Sequence, residues 1–478
     1  MTLPPKEYFE DDLTLGVAKG AVYHMMNNRF TLLKLPVGYG KTIISMQVAR
    51  VLSKLNNDSM QLMIMAPKAK RLDKSFNEAI EATCKYYNID LPLVQINNQD
   101  IGTFAGLNTM KNKKPELYAE FLAKLKSNNT LLILDETHMQ LRDSTNTANR
   151  NFREIFKEVE KTNYKFKILG LTATPFDKSI LDTVGYLVLN GHYRSRNDFY
   201  KREIVGFRQA YQNGLTLNDI NNMIVDKQFK IHGNMFLDKH RVINKLKLMI
   251  YAPTPPRNFH IPKNEFEDLP VVLSEKGQED LAFIMKMDRQ KAYTDNTTKT
   301  VDYVKTLTTD KNVLEKVFEI CDDKRYNQPL IFYRYDVTLE ALVDYCQKHN
   351  LKYFEVNGHS SSYFANNDNV SPVFVQYQSG ATAFESKASN VSIYLDLPTS
   401  DIAYQQSLGR NTRRGQNVDV VTNYIVRPQV LKGGQPKLVK YSQDQYNKIV
   451  SKNKWNAIFE GVFETEWGKF NETFVRKE

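Results

Sequence analysis

Eight short apolar runs punctuate this chain, and amphipathic or polar stretches of helical length separate most of them. They are TLLKL (31 to 35), QLMIMA (61 to 66), TLLILD (130 to 135), KILGLTA (167 to 173), PLIFY (329 to 333), PVFVQY (372 to 377), VSIYLDL (391 to 397) and VDVVTNYIV (418 to 426). Runs this short, bounded by helical segments, are what strands buried on both faces look like, and the alternation predicts α/β units with parallel sheets. Two such series exist. The first ends near residue 190 and the second begins near 311; the pattern between them predicts mainly helix, for example over 214 to 250. The length of 478 residues suits this, since a domain takes roughly 150 residues. The expected boundaries are therefore 1–190 for a first α/β unit, 191–310 for a helical basic insert and linker, 311–435 for a second unit and 436–478 for a helical tail. In that tail Trp455, Phe459 and Phe463 fall at i, i+4 and i+8, an apolar stripe suited to docking on a neighbouring domain.

Charge is unevenly spread. The whole chain has 65 Lys+Arg against 54 Asp+Glu, a net +11. Between His192 and His260 there are 12 basic residues and 5 acidic ones, so +7 of that excess falls in a seventh of the chain. Such a run is either a solvated helical face or a surface that tracks a phosphate backbone; the basic balance favours a polyanionic partner, nucleic acid first. The stretch APTPPRNFHIP (252 to 262) has four prolines and reads as an extended connector. Cys84, Cys321 and Cys346 are far apart and lack metal-ligand spacing, so they are expected to be reduced core residues. No stretch is apolar for the roughly 18 residues of a membrane span, and the acidic start (Glu7, Glu10, Asp11, Asp12) is unlike a signal peptide. The expectation is a cytoplasmic protein, in a host cytoplasm if phage-encoded, with no membrane partner.

The octapeptide LPVGYGKT (35 to 42) follows an apolar strand and precedes IISMQVARVL, which has helical periodicity. That context is the one a phosphate-binding loop requires. In the Pro-x-Gly-x-Gly-Lys-Thr form of Pro36, Gly38, Tyr39, Gly40, Lys41 and Thr42, the glycines let backbone N–H groups turn toward phosphates. Lys41 offers a point charge to the β and γ groups, and Thr42 can ligate Mg²⁺. Leu35 stands where the usual first glycine would be. At 131 to 138, LLILDETH sets Asp135 and Glu136 at the carboxyl end of a strand, where open α/β sheets bind ligands. Asp135 is expected to hold the metal through water, and Glu136 to accept the proton of the water attacking the γ-phosphate. His138 is either a structural hydrogen-bonding residue or a participant. Arg410 and Arg413, in QQSLGRNTRRGQ (405 to 416), are three apart, which on a helix would put both on one face. They are candidates for the cations that stabilise the transition state, reaching across a cleft.

With these residues in place the chain resembles the superfamily 2 helicases and translocases. LPVGYGKT, APKAK (66 to 70), DETH (135 to 138), LTATP (171 to 175), LIFYRY (330 to 335), QYQSGATAFES (376 to 386) and QQSLGRNTRRGQ occur in the order of that superfamily's motifs I, Ia, II, III, IV, V and VI. Through APKAKRLDKSFNEA, LTATPFDKS, VNGHSS (356 to 361), QYQSG and the closing R-x-x-R-x-G-Q it is most similar to Swi/Snf-type ATPases and their phage and bacterial relatives. The resemblance implies two RecA-like lobes with ATP and Mg²⁺ in the cleft between them. Lys41 and Thr42 then match the phosphate and metal ligands, Asp135 and Glu136 the metal and base residues, and Arg410 and Arg413 the arginine fingers. Gln416 closes motif VI, and Gly380 is the motif V glycine near nucleotide and strand. His138, Thr172 and Thr174 fall in the motifs that couple hydrolysis to lobe movement. Pro67 and Lys68, with Tyr333, Arg334 and Ser360 in the second lobe, match positions contacting a nucleic-acid backbone. Two departures stand out: Lys19 occupies the place where many relatives carry an adenine-reading glutamine, and motif V reads GATAFES. The implied function is an ATP-dependent DNA helicase or translocase, with phage DNA replication as one setting and a replication protein as one partner. A nucleotide-gated DNA-binding switch or loader and an RNA helicase are the alternatives. A small-molecule kinase would explain neither DETH nor the second series of strands.

Overall fold

The computed structural model describes residues 3–57, 59–67, 74–139, 141, 145–160, 166–175, 183–206, 208, 212–214, 224–225, 230–231, 235–237, 239–253, 260–357, 370–377, 386, 388–416 and 418–449. The chain divides into two compact units. The first holds the described residues up to 253 except Val37–Tyr39, and the second holds those three and the described residues from His260 onward.

The first unit opens with α1 (Glu7–Glu10) and α2 (Asp12–Asn27), the latter capped by the Asp11 carboxylate accepting from the Thr14 N–H. There follow β1 (Phe30–Lys34), α3 (Lys41–Leu55), β2 (Gln61–Met65), α4 (Ser75–Tyr87), β3 (Ile101–Gly102), α5 (Phe104–Lys113) and α6 (Pro115–Ser127). Next come β4 (Thr130–Leu134), α7 (Thr147–Val159), β5 (Lys167–Thr172), α8 (Val184–Leu189) and α9 (Arg196–Glu203). Four short strands, β6 (Ile204–Val205), β7 (Ile224–Val225), β8 (Lys230–Ile231) and β9 (Met235–Leu237), precede α10 (Lys239–Met249) and β10 (Ile250–Tyr251). The main sheet runs β10-β1-β5-β4-β2-β3, every pair parallel, and β1 and β4 are buried along nearly their whole length. Phe30, Leu32, Leu132, Leu134 and Ile168 from the strands meet Phe152, Ile155 and Phe156 of α7 in one core. Helices cover the sheet because its strands are apolar on both faces.

The second unit is built from β11 (Lys263–Val272), α11 (Glu275–Arg289), α12 (Asn296–Thr308), α13 (Lys311–Cys321), β12 (Leu330–Tyr333) and α14 (Asp336–Lys348). It continues through β13 (Phe354–Val356), β14 (Val373–Gln376), β15 (Val391–Tyr394), α15 (Asp401–Leu408), β16 (Val420–Lys432) and β17 (Gln435–Leu438) to α16, a helix over 440–449. Its sheet runs β11-β16-β15-β12-β14-β13, again parallel, with β17 added antiparallel to the end of β16. Two apolar clusters fill its faces, one around Ile331, Tyr333, Phe374 and Phe318, the other around Phe332, Val375 and Tyr394.

Both units thus have the expected parallel α/β architecture, and all eight apolar runs are strands. The expected divisions differ from the observed ones in two ways. The second sheet begins at Lys263, well before residue 311, because β11 is an edge strand whose residues are largely exposed and charged. The stretch expected to be mainly helical has the helix α10 but also β6 to β9, which pair antiparallel in a small sheet. Strands of two or three residues are too short to show a period. The apolar stripe at Trp455, Phe459 and Phe463 lies outside the described residues. The three cysteines are free; burial pushes the Cys346 thiol up to about 12, so it is a poor nucleophile.

Candidate functional site

The chemistry-bearing residues of the first unit gather at one edge of its sheet. β5 lies between β1 and β4, with Lys34 opposite Thr172 and Leu134 opposite Gly170, so the carboxyl ends of all three strands fall side by side. The Leu35 N–H still donates to the Thr172 carbonyl at 3.1 Å, extending the pairing one residue into the loop. The loop then turns through Gly38 (φ +87°) and Gly40 (φ +76°), both in the left-handed region where a Cβ is penalised. α3 starts immediately at Lys41, its Ile44 N–H donating to the Gly40 carbonyl at 3.0 Å. No acid stands in the first turn of α3, so the positive end of its dipole is not offset there. Lys41 folds over the loop, its Nζ donating to the carbonyls of Leu35 and Pro36, each at 3.1 Å. Thr42 is half-buried at the second position of the helix.

Two strands away Asp135 is 4% exposed, and its N–H donates to the Met65 carbonyl at 2.9 Å. Glu136 has φ +48°, a conformation rare for a residue with a side chain. A 3₁₀ turn, Thr137–Met139, follows. Its Thr137 hydroxyl donates to the Leu171 carbonyl at 3.1 Å, tying the turn to β5. The buried His138 stands with Nδ1 3.3 Å from Glu136 Oε2 and 3.0 Å from Thr172 Oγ1. The same Thr172 hydroxyl oxygen accepts from the Thr174 N–H at 3.1 Å. His138, Thr172 and Thr174 are thus joined by hydrogen bonds, with the Glu136 carboxylate beside the His138 ring. Sequence reasoning missed Thr137, because its bond depends on which strand becomes the neighbour of β4. Pro67, after β2, is half-buried, and Lys68 lies outside the described residues. Lys19 is exposed on α2.

The second unit departs further from expectation. α15 ends at Leu408 with Gly409 as its C-cap, so Arg410 and Arg413 lie in a turn and share no helical face. Arg410 is 5% exposed, its Nε donating to the Gln406 carbonyl at 3.0 Å, while Arg413 is half-buried. A buried polar network holds this turn. The Asn411 amide donates to the hydroxyls of Ser389 and Ser392 at 3.1 and 3.0 Å, and the Ser386 N–H donates to the Arg410 carbonyl at 3.0 Å. Gln416 spends both ends of its amide here: Nε2 donates to the Ser389 carbonyl at 2.6 Å and Oε1 accepts from the Arg413 N–H at 3.2 Å. In this arrangement Gln416 braces the turn. Tyr333 and Arg334, expected at a nucleic-acid backbone, lie buried inside the second unit. Tyr333 is wholly buried, and burial pushes its phenol well above the usual range. Arg334 is 8% exposed, pairs with Asp396 (Nε to Oδ2, 2.9 Å) and donates to the Leu397 carbonyl. Tyr333 has no exposed surface to offer a nucleic-acid backbone. Gly380 and Ser360 lie outside the described residues.

Hard oxygen donors, the Thr42 hydroxyl and the Asp135 carboxylate, are the set Mg²⁺ takes, usually together with substrate phosphates. Among the described residues no cluster of three or more His, Cys, Asp or Glu could hold a metal alone. No helix among them is long and apolar enough to cross a membrane.

Residues 13–177, about a third of the chain, match the family described as the type III restriction enzyme res subunit, ResIII. That segment contains the phosphate loop, Asp135–Glu136 and the Thr172–Thr174 turn. No curated protein sequence matches the chain. Among solved structures, the SWI2/SNF2 ATPase core of Sulfolobus solfataricus in complex with dsDNA aligns over 90% of both chains at 12% identity, with a TM-score of 0.37, too low to infer a relationship from it.

Proposed function

We propose that this chain is a nucleic-acid-stimulated ATPase of the superfamily 2 helicase and translocase type, which hydrolyses ATP to move on or remodel DNA. The observation behind this reading is the sheet edge where β1, β5 and β4 end side by side, with α3 starting at Lys41 after the first and Asp135 and Glu136 following the last. The similarity of residues 13–177 to ResIII supports it. In this reading Lys41 leaves its loop carbonyls for the β- and γ-phosphates, and the loop amides and the start of α3 bind phosphate oxygens. Thr42 and Asp135 hold Mg²⁺, whose chemistry is to neutralise charge on the phosphates. Glu136 orients the attacking water and takes its proton, with His138 fixing the carboxylate. Arg410 and Arg413 supply positive charge to the transition state. The His138–Thr172–Thr174 chain passes the state of the phosphate site on to β5. Backbone contacts carry no base information, so stimulation should be independent of sequence.

The test is the ATPase rate without nucleic acid and with single-stranded DNA, duplex, forks and RNA. We expect DNA to stimulate turnover, and Lys41→Ala to lower it about a hundredfold or more while the unfolding midpoint stays at the parent value. DNA-stimulated turnover in the Lys41→Ala protein would overturn the site. Stimulation by RNA alone would reassign the partner. Displacement of a triplex strand without opening of a fork would mark a translocase.

A further inference from the structure

A recess of about 430 Å³, counted to its open mouth, lies within the second unit. Its walls are the residues that follow β12 and β15, the middle of β16, the end of α12 and one side of α16. What sets the recess apart is its lining, which includes two buried guanidinium groups, Arg334 and Arg427, at 8% and 4% exposure. One carboxylate of the lining, Asp396, answers them, and it pairs with Arg334 at 2.9 Å. Arg427 donates one Nη to Gln443 and lies over the Tyr446 ring, 4.2 Å from its centroid. Its ion-pair partner Asp268 is 3.8 Å away with a side chain 59% exposed, a distant and solvated counter-charge. Neither Nε nor Nη1 of Arg427 has a hydrogen-bond acceptor among the described residues. A buried cation with unused donors is costly unless an anion reaches it. Arginine beside a recess is the side chain that oxyanions bind best.

We propose that this recess is a binding site for a small oxyanion of the phosphate class, held by Arg427 with Arg334 beside it. The Tyr441 phenol and the Gln445 amide of α16 line the same recess and offer neutral donors. The apolar wall around Leu307 and Leu397 excludes water from one side, which strengthens the charge-assisted bonds. Asp396 disfavours an anion, but its charge is engaged by Arg334, leaving one net positive charge on the buried set. The site shares no residue with the phosphate loop and does not rest on the ATPase reading.

The experiment titrates inorganic phosphate into the full chain carrying Lys41→Ala, which removes the cation of the phosphate loop, and follows ³¹P line width and calorimetric heat. We expect saturable binding to one site with a Kd of about 1 mM or tighter. In the same background Arg427→Met should weaken it at least about tenfold. Gln445→Glu changes little shape on the half-buried side of α16 and adds a carboxylate to the wall, so it should weaken phosphate similarly while keeping the unfolding midpoint. If Arg427→Met does not fold, Gln445→Glu alone decides. Absence of saturable binding up to about 10 mM, or unchanged affinity in Gln445→Glu, would overturn the proposal.

Discussion

Glu136 adopts φ +48°, a conformation that costs a residue with a Cβ about 1–3 kcal/mol unless its surroundings impose it. Here the Thr137 hydroxyl on the Leu171 carbonyl and His138 between Glu136 and Thr172 impose it. Glu136→Gln should therefore keep fold and ATP affinity while losing about two or more orders of magnitude in turnover, measured by single-turnover hydrolysis and nucleotide binding. His138→Ala should lower turnover less, and should separate ATP binding from DNA stimulation. Asp396 gives a pH signature of its own. Burial outweighs the Arg334 charge and pushes its carboxyl up to about 6 from an ordinary value near 3.9. The folded state then binds the proton more tightly than the unfolded one. The stability Asp396 contributes is complete below about pH 3.9 and is lost as pH rises through about 6. Denaturation curves of parent and Asp396→Asn, subtracted, should show that loss as about 1–3 kcal/mol across the window. At this scale the sequence was legible in the local backbone: the left-handed Gly38 and Gly40 and the start of α3 at Lys41 fall where the short motif dictates them. It was misleading for Arg410 and Arg413, where an i, i+3 spacing implies a shared face only if the helix continues, and α15 stops at Leu408.

Elements were readable wherever burial left a period or an apolar run. β1, β2, β4, β5, β12, β14, β15 and β16 all lie where such runs stand. β11 did not show, since a strand exposed over most of its length has no hydrophobic run to reveal it. The small β6–β9 sheet did not show either, and part of the basic charge of this region is spent inside the fold. The Glu203 carboxylate, wholly buried at the end of α9, accepts from Lys245 Nζ at 2.8 Å and from the Tyr193 hydroxyl at 2.6 Å, with Arg241 at 3.7 Å. This cluster fastens α9 to α10. Glu203→Ala should cost about 3–5 kcal/mol of the first unit's stability by stranding Lys245 without its buried partner, measurable by chemical denaturation. Asn411→Ala should cost less, about 1–3 kcal/mol, because it unties the turn after α15 from Ser389 and Ser392 without burying a charge.

For the molecule as a whole, a motor that grips phosphates should lose affinity for duplex DNA linearly in log salt, with a slope near −0.9 per phosphate neutralised. A slope near zero in a filter-binding series would count against a backbone-tracking surface. The excess of +11 charges makes such an interaction favourable at a distance but does not say which face makes it. The outermost strand of the second sheet has its own whole-molecule consequence. β11 presents Lys263, Glu265, Glu267, Asp268 and Pro270 along a rim with no further strand beside it among the described residues. Another chain trying to add a strand there would set like charges against each other and meet a proline that has no N–H to donate. Replacing Glu265, Glu267 and Asp268 together by threonine should remove that barrier and make sedimentation concentration-dependent. The charge that hid this strand from a hydrophobicity reading is thus also what opposes the zipping of a second chain onto this rim.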